Sequence, residues 1–425
     1  MEFTLSYLKN ILFFLLLLNI TKELPASVSS EGQGIAKIIE LIRSQNYQVL
    51  AAKQSHLASK HSQEGSGYFP DPIIKLNAFG SPIETRNGPQ RSNLMISQAI
   101  PWPTALQAEE ELALSQSKVK AEQLEILLLD LTFEVKTLIY KYLETINKLN
   151  NKKKMIVTLN NLSNIVLGRL KLGSASQAEV SRINIEVAKL TQTVRKLESK
   201  KVEILHKLAA MSGGQSIDHL IPRSLDSKWG QIKEFDPGKV DIASHPYIQL
   251  AKAKVNVSNA GIEKQKSKRL PKLGASVSWF QIDRPNGAMA GTEAGKDAWA
   301  IGASISLPLW SGKYDSLEYS SASNHVSAQM ELEQRKLDLR SKIASLYEEY
   351  STTREVSLIF RSDIIPQAVQ ALESDRESYT QGGAPFERVI TNYIRVIKFE
   401  DQLIENQIRQ AVLKAALEKL LGKSL

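Results

Sequence analysis

Apolar positions along this chain follow two rhythms, and the change from one to the other happens twice. In the first rhythm they alternate with small or polar residues. Ile74, Leu76 and Ala78 alternate with Lys75, Asn77 and Phe79, and Leu94, Ile96 and Ile100 with Met95, Ser97 and Ala99, Gln98 interrupting the apolar side. Further on, Leu273, Ala275, Val277 and Trp279 alternate with Gly274, Ser276 and Ser278, and Trp299, Ile301, Ala303, Ile305 and Leu307 with Ala300, Gly302, Ser304 and Ser306. A period of two sends successive side chains to opposite faces, so this pattern predicts four strands of about 9–11 residues, each with one apolar face.

In the second rhythm apolar residues recur at spacings of three and four. Leu124, Leu128, Leu131, Val135, Leu138, Tyr142, Leu149, Ile156, Leu159, Val166 and Leu170 form one series, with gaps at Thr145, Lys152 and Ser163. Val180, Ile183, Val187, Leu190, Val194, Leu197, Ile204 and Leu208 form a second. Leu339, Ile343, Leu346, Tyr350, Phe360 and Ile364, then Val389, Val396, Phe399, Leu403, Leu413, Leu417 and Leu420, continue it. A 3.5-residue seam predicts long helices packed as coiled coils. From Thr104 to Leu172 such a helix would run about 100 Å, at about 1.5 Å per residue. The return from Gln177 to Met211 is half that length; stacking it end to end on the short helix before a hairpin would nearly make up the deficit. Pro366 should kink or interrupt the counterpart helix.

The two rhythms meet in "ISQAIPWPTAL" (Ile96–Leu106) and "ISLPLWSGK" (Ile305–Lys313). Proline cannot donate to a strand ladder but suits a first helical turn, so Pro101, Pro103 and Pro308 mark strand-to-helix joints. Trp102 and Trp310 lie beside them, at a depth that suits indole rings at a membrane–water interface; packing in a turn accounts for either tryptophan alone. The duplication extends to other landmarks. Pro70 pairs with Pro271, Pro101 with Pro308, Gly173 with Gly382 and Gly213 with Gly422, at offsets of 201, 207, 209 and 209 residues. The chain therefore reads as two structural repeats. The first covers residues 30–212, with a short helix from Ile35 to about Ser62, a hairpin at about 72–101 and a long helical hairpin at 104–211. A linker follows at 213–244. The second covers 245–425, with a short helix from Pro246 to about Lys268, a hairpin at about 271–308 and a helical hairpin at 312–421.

Composition narrows the function. The chain has 425 residues, no cysteine and a formal charge of +9. Disulfides, thiolate metal sites and cysteine nucleophiles are excluded. The cations are interspersed with acids rather than gathered into a stripe with aromatics, so a nucleic acid partner is not expected. Residues 1–29 read as a signal peptide: an apolar core "NILFFLLLLNI" follows Lys9 and precedes the small-residue stretch "PASVSS". No later segment is apolar enough for a transmembrane helix. The strands, in contrast, have the length of tilted membrane strands. A soluble hairpin with one face on a core fits the strands alone equally well. If they lie in a membrane, four cannot close a barrel, and lipid tolerates no open edge. Copies must then share one barrel of eight, twelve or sixteen strands.

No catalytic constellation, phosphate loop or cofactor motif is present, and no enzyme activity is expected. The histidines (His56, His61, His206, His219, His245, His325) are scattered and form no metal pair, and Met95, Met155, Met211, Met289 and Met330 form no soft-ligand cluster.

The strand–proline–long-helix order, used twice, and the glycine tips "LKLGSASQAEV" and "YTQGGAPFERV" resemble the outer membrane efflux protein (TolC-like) family, from about Ile35 to Gly422. "GYFPDPIIKLNAFGSP" followed by "MISQAIPWP" is similar to its heavy-metal cation efflux branch. The resemblance implies a mainly α fold with a small β part. Long coiled-coil helices would form a periplasmic α-barrel, and four strands per protomer would join a shared trimeric β-barrel in the outer membrane. It implies a homotrimer that meets a periplasmic adaptor (membrane fusion) protein and an inner membrane resistance–nodulation–division pump or ABC exporter. The docking tips would be Leu172, Gly173, Ser174 and Ala175, with Gln381, Gly382, Gly383 and Ala384. Glu179, Glu387 and Arg388 would lie at the periplasmic entrance; Arg388 beside Glu387, with Thr391 and Asn392 following, departs from the acidic entrance of drug exporters. The lack of cysteine departs from the lipid-anchored members. The expected function is passive efflux of small molecules or metal cations. Type I protein secretion, or a periplasmic or surface coiled-coil structural role, are the alternatives.

Overall fold

The computed structural model describes residues 30–223, 230–232, 235–285, 294–423 and 425. The expected signal peptide lies outside them. In chain order the elements are α1 (Ser30–Gln45), α2 (Tyr47–Glu64), β1 (Ile73–Thr85), β2 (Gly88–Ile100), α3 (Pro103–Lys171) and α4 (Gln177–Met211). After two short 3₁₀ turns come α5 (Pro246–Ser267), β3 (Lys272–Ile282), β4 (Ala298–Ser306), α6 (Ser311–Ile359), one π turn (Phe360–Ile364), α7 (Ile365–Thr380) and α8 (Phe386–Leu421). The fold is mainly helical with one four-stranded sheet, as the two rhythms predict.

The sheet is an antiparallel meander, β1-β2-β3-β4, in which the central β2–β3 pairing joins the two halves of the chain. Its register aligns like with like. Ile74, Ile96, Val277 and Ile301 form one row across all four strands, and Leu76, Leu94, Trp279 and Trp299 the next. This face is open: Leu76 is 71% exposed and Ile301 73%. The opposite face carries rows such as Ile73, Ser97, Ser276, Gly302 and Lys75, Met95, Ser278, Ala300. There a Cβ on Gly274 would fall 2.6 Å from the Ser304 hydroxyl, and one on Gly302 2.7 Å from that of Ser276. Crowding on the small face and openness on the apolar face mean that the sheet curls, with the apolar side convex.

Nearest the sheet the helices form a second layer in the order α2, α3, α5, α6, each packed on the next. Towards the other end α3 packs on α4 and α8, and α8 on α6 and α7. Three cores hold the layers. Ile38, Ile42, Ile139, Leu143 and Leu208 centre one at mid-length; Ile248, Ile343 and Leu417 centre a second beside it; Leu159, Val166, Ile183, Phe386 and Val389 centre the third near the helix ends. The seam in α3 is broader than a single heptad series: Ile139, Leu143 and Leu162, outside that series, are buried, because α3 packs on several helices at once. The seam gaps at Thr145 and Lys152 are buried too. Thr145 donates to the Lys141 carbonyl, and Lys152 forms an ion pair with Asp401 on α8.

Two local details refine the sequence reading. The first short helix is split at Asn46, whose carboxamide oxygen caps α2 by accepting from the N–H groups of Gln48 (2.9 Å) and Val49 (3.3 Å). Just before Pro366 the long α-helix is interrupted, as expected, by one π turn that pairs the Ile365 N–H with the Phe360 carbonyl, relieving the clash that proline would impose on a regular α turn.

The stacking inferred from helix lengths is made by one side chain in each half. The Asn46 carboxamide donates to the Met211 carbonyl at the end of α4 (3.0 Å), so α2 continues α4. His245, which caps α5, donates from Nε2 to the Lys419 carbonyl near the end of α8 (3.0 Å), so α5 continues α8.

Candidate functional site

Two features have no role inside one protomer: the helix tips and the open edges. Each tip is a Schellman turn, in which a left-handed glycine lets the last carbonyls of a helix accept N–H groups from beyond its end. At the first tip Gly173 has φ 72°, its N–H bonds to the Leu170 carbonyl (3.0 Å), and the Ser174 N–H to that of Arg169 (2.9 Å). At the second Gly382 has φ 83°, with Gly382 to Tyr379 (3.0 Å) and Gly383 to Ser378 (2.8 Å). Leu172 is 83% exposed at the apex, whereas Ala384 packs into the tip core with Phe386. Ala175 lies against that core, and Gln381 caps α7.

The structure brings the two tips together. Arg169 reaches from the first to donate to the Tyr379 carbonyl of the second, with its guanidinium 4.4 Å above the Tyr379 ring. The Tyr379 hydroxyl in turn donates to Glu179 (2.8 Å). Burial, followed by that bond to a carboxylate, pushes the Tyr379 pKa up to about 12. Glu179 also accepts within its own helix start, where Ser176 caps α4. Glu387 forms an ion pair with Arg182, and Arg388 lies 3.5 Å from Asp375, which also accepts from Asn392 (2.6 Å). All three entrance residues expected from the sequence are therefore engaged by partners in the same protomer. Sequence reasoning missed Arg169, Tyr379 and Arg182, because each works through a residue on the other hairpin, and Asp375, whose partners Arg388 and Asn392 lie across the tip turn on the next helix.

At the strand-to-helix joints Pro103 opens α3 and Trp102 precedes it as the N-cap residue. The Trp102 indole donates to the Pro271 carbonyl (2.6 Å), tying the first joint to the entry of β3. Trp310 holds the same place before α6 and is 76% exposed. Pro101 and Pro308 stand just past the ends of β2 and β4, where the ladders stop.

Among the described residues nothing pairs with the outer edges of β1 and β4. The helix layer beside the sheet ends in the same way, at α2 and α6. Both edge helices carry apolar residues in the open: Tyr47, Leu50 and Leu57 on α2, and Tyr319, Val326, Met330 and Leu337 at near-heptad spacing on α6. The protomer is thus a strip, sheet and helices alike, with matching unsatisfied margins on both sides. No helix among the described residues is long and apolar enough to cross a membrane.

Residues 241–423, the second half of this duplicated fold, match the family model of the outer membrane efflux proteins. Over that half the chain is similar to the family. Solved structures with this fold include the outer-membrane channel OprN, at 17% identity and TM-score 0.77 over 92% of this chain and 90% of that one. VceC, an outer membrane protein of Vibrio cholerae, has 16% identity and TM-score 0.75 over 92% and 97%. CusC, described for the changes that accompany its folding and transmembrane channel formation, has 12% identity and TM-score 0.75 over 96% and 100%. No curated protein matches the chain.

Proposed function

We propose that this chain is the subunit of a passive, trimeric outer membrane conduit serving a tripartite efflux system. The observation that carries the reading is the pair of matching open margins. A curled four-stranded sheet with an apolar convex face cannot rest in lipid with free edges, since each unpaired backbone group in hydrocarbon costs several kcal/mol. Copies joined β4 to β1 satisfy those edges, and the same operation covers the stripe on α6 with that on α2. Twelve strands from three copies fit the barrel sizes open to antiparallel membrane sheets. The helical tips, with Leu172 at one apex and Gly382 and Gly383 at the other, are the surface for a periplasmic adaptor and an inner membrane pump. The contacts of Tyr379 with Glu179 and of Arg182 with Glu387 hold the two hairpins together at the periplasmic entrance, and widening it requires breaking them. The chain holds no energy-coupling site of its own in this reading, so transport is driven by the partner. The cargo is small molecules or metal cations, selected by the partner pump.

Fractionation tests the conduit directly. The full chain should be recovered in the outer membrane fraction, run as an oligomer in SDS without heating, and produce single-channel conductance in planar bilayers. Recovery as a soluble monomer would overturn the reading. Deletion followed by growth tests on metals, drugs and bile salts assigns cargo. Loss of a secreted protein with no change in those sensitivities would transfer the assignment to type I secretion.

A further inference from the structure

The two helix-to-strand joints, α2 to β1 and α5 to β3, carry opposite electrostatics. In the first unit the segment from Glu64 to Pro72 holds Glu64 and Asp71 and no lysine or arginine. In the second, Lys266 to Lys272 reads "KSKRLPK", with four cations in seven residues. Two of these are neutralised locally, Lys266 by Glu263 and Arg269 by Asp315 and Glu318. Lys268 and Lys272 are exposed and have no acidic partner among the described residues.

These two lysines line a groove of about 340 Å³ between the start of α3 and the end of α5. Ile100 and Leu273 form part of its wall. They pair with each other in the register and belong to the convex apolar face, so the groove continues that face towards the helices. Trp102 stands at its side with the indole N–H already bonded to Pro271. The one carboxylate in the lining, Glu109, is matched by Lys264 at 2.7 Å. An apolar wall that runs into lipid and a rim with two unmatched cations have the chemistry of an amphiphile with a negative head.

We propose that this groove seats an anionic phospholipid of the leaflet next to the helices, its phosphate at Lys268 and Lys272 and its upper acyl chain along Ile100 and Leu273. The inference rests on the membrane reading above. A bound lipid there would pin the barrel's depth at the point where strand becomes helix.

The test uses the full-length oligomer in nanodiscs of phosphatidylcholine with graded phosphatidylglycerol. Brominated phosphatidylglycerol should quench the part of the tryptophan emission lost in Trp102→Phe more than brominated phosphatidylcholine does. The preference should be about fivefold for each lysine near the surface. It should fall stepwise in Lys268→Gln and in Lys268→Gln/Lys272→Gln, and stay unchanged in Lys196→Gln, an exposed site on α4. Equal quenching by the two lipids, or a preference that survives the double substitution, would overturn the proposal. So would loss of the preference on adding millimolar inorganic phosphate, which would mark a free-anion site. Failure of the protein to enter nanodiscs of any composition would instead sink the conduit reading itself.

Discussion

The two mid-length junctions do the same mechanical task with different chemistry. In each, the helix returning from the tip ends in a left-handed glycine, Gly213 at φ 71° and Gly422 at φ 66°. The short helix that leads to the sheet stacks on that end, and one capping side chain bridges the two. In the first unit the bridge is Asn46, whose carboxamide has both a donor and an acceptor at any ordinary pH. In the second it is His245. Its Nδ1 accepts from the Tyr247 N–H (3.2 Å) while Nε2 donates to Lys419 (3.0 Å), an assignment forced by the two partners. Only the neutral ring can do both, because protonating Nδ1 removes the acceptor. Burial accordingly holds the His245 pKa below its usual value, against the opposing pull of the Lys419 carbonyl. The repeat conserves a geometry of donor and acceptor, while the residue that provides it has changed, and with it the sensitivity to pH.

If the junctions are mechanically equivalent, the largest truncations should cost them alike. Leu208 and Leu417 occupy equivalent positions and are both fully buried. Leu208→Ala and Leu417→Ala should each destabilise by about 2–5 kcal/mol, read as matched drops in Tm by circular dichroism. A large drop for only one would break the equivalence. Next in size, Asn46→Ala and His245→Ala each remove a cap and orphan a carbonyl, which should cost about 1–2 kcal/mol at pH 7.5. Smaller still is the pH effect. Between the depressed folded pKa and about 6.5 the unfolded chain binds more protons at His245 than the folded one, so stability rises with pH there. The contribution is complete above about pH 6.5 and is lost as pH falls through the folded pKa. His245→Asn should flatten that part of the Tm–pH profile; an unaltered slope would rule His245 out as its source. The smallest expected change is in Asn46→His, which should add a slope of the same sign to the first junction.

Much of this architecture was legible before any coordinates. Period two and period 3.5 are local signals, and the paired prolines and glycines mark where the periods change. The tip glycines were readable for the same reason, since a left-handed turn between two helices asks for that residue type. The contacts that fix the tips were not readable. Glu179 looks like a free acid in "SASQAEV", but its partner Tyr379 lies in the other hairpin, 200 residues away. Asn46 looks like one polar residue in a helical run, because its structural reason, the Met211 carbonyl, is 165 residues away. Lys152 reads as a gap in a seam until Asp401 is placed opposite it. Each miss is a polar group satisfied by a partner far along the chain, where no local period can register it.

The π turn at Phe360–Ile364 acts as a vernier. The first descent, α3, has 69 residues. Its counterpart has 49, 5 and 16 in α6, the π turn and α7, one residue more. Above the turn the buried series Tyr350, Thr353 and Ser357 keeps its three-and-four spacing, and below it Leu372 and Tyr379 keep theirs, but the two series are one residue out of step. An extra residue in a regular helix would rotate everything beyond it by about 100°, turning Tyr379 away from Glu179. Held in a single wide turn, it leaves the rotation unchanged. Two descents of unequal length can therefore arrive at the tip with the same faces aligned, and this turn is where the second could lose a residue without misdirecting either end.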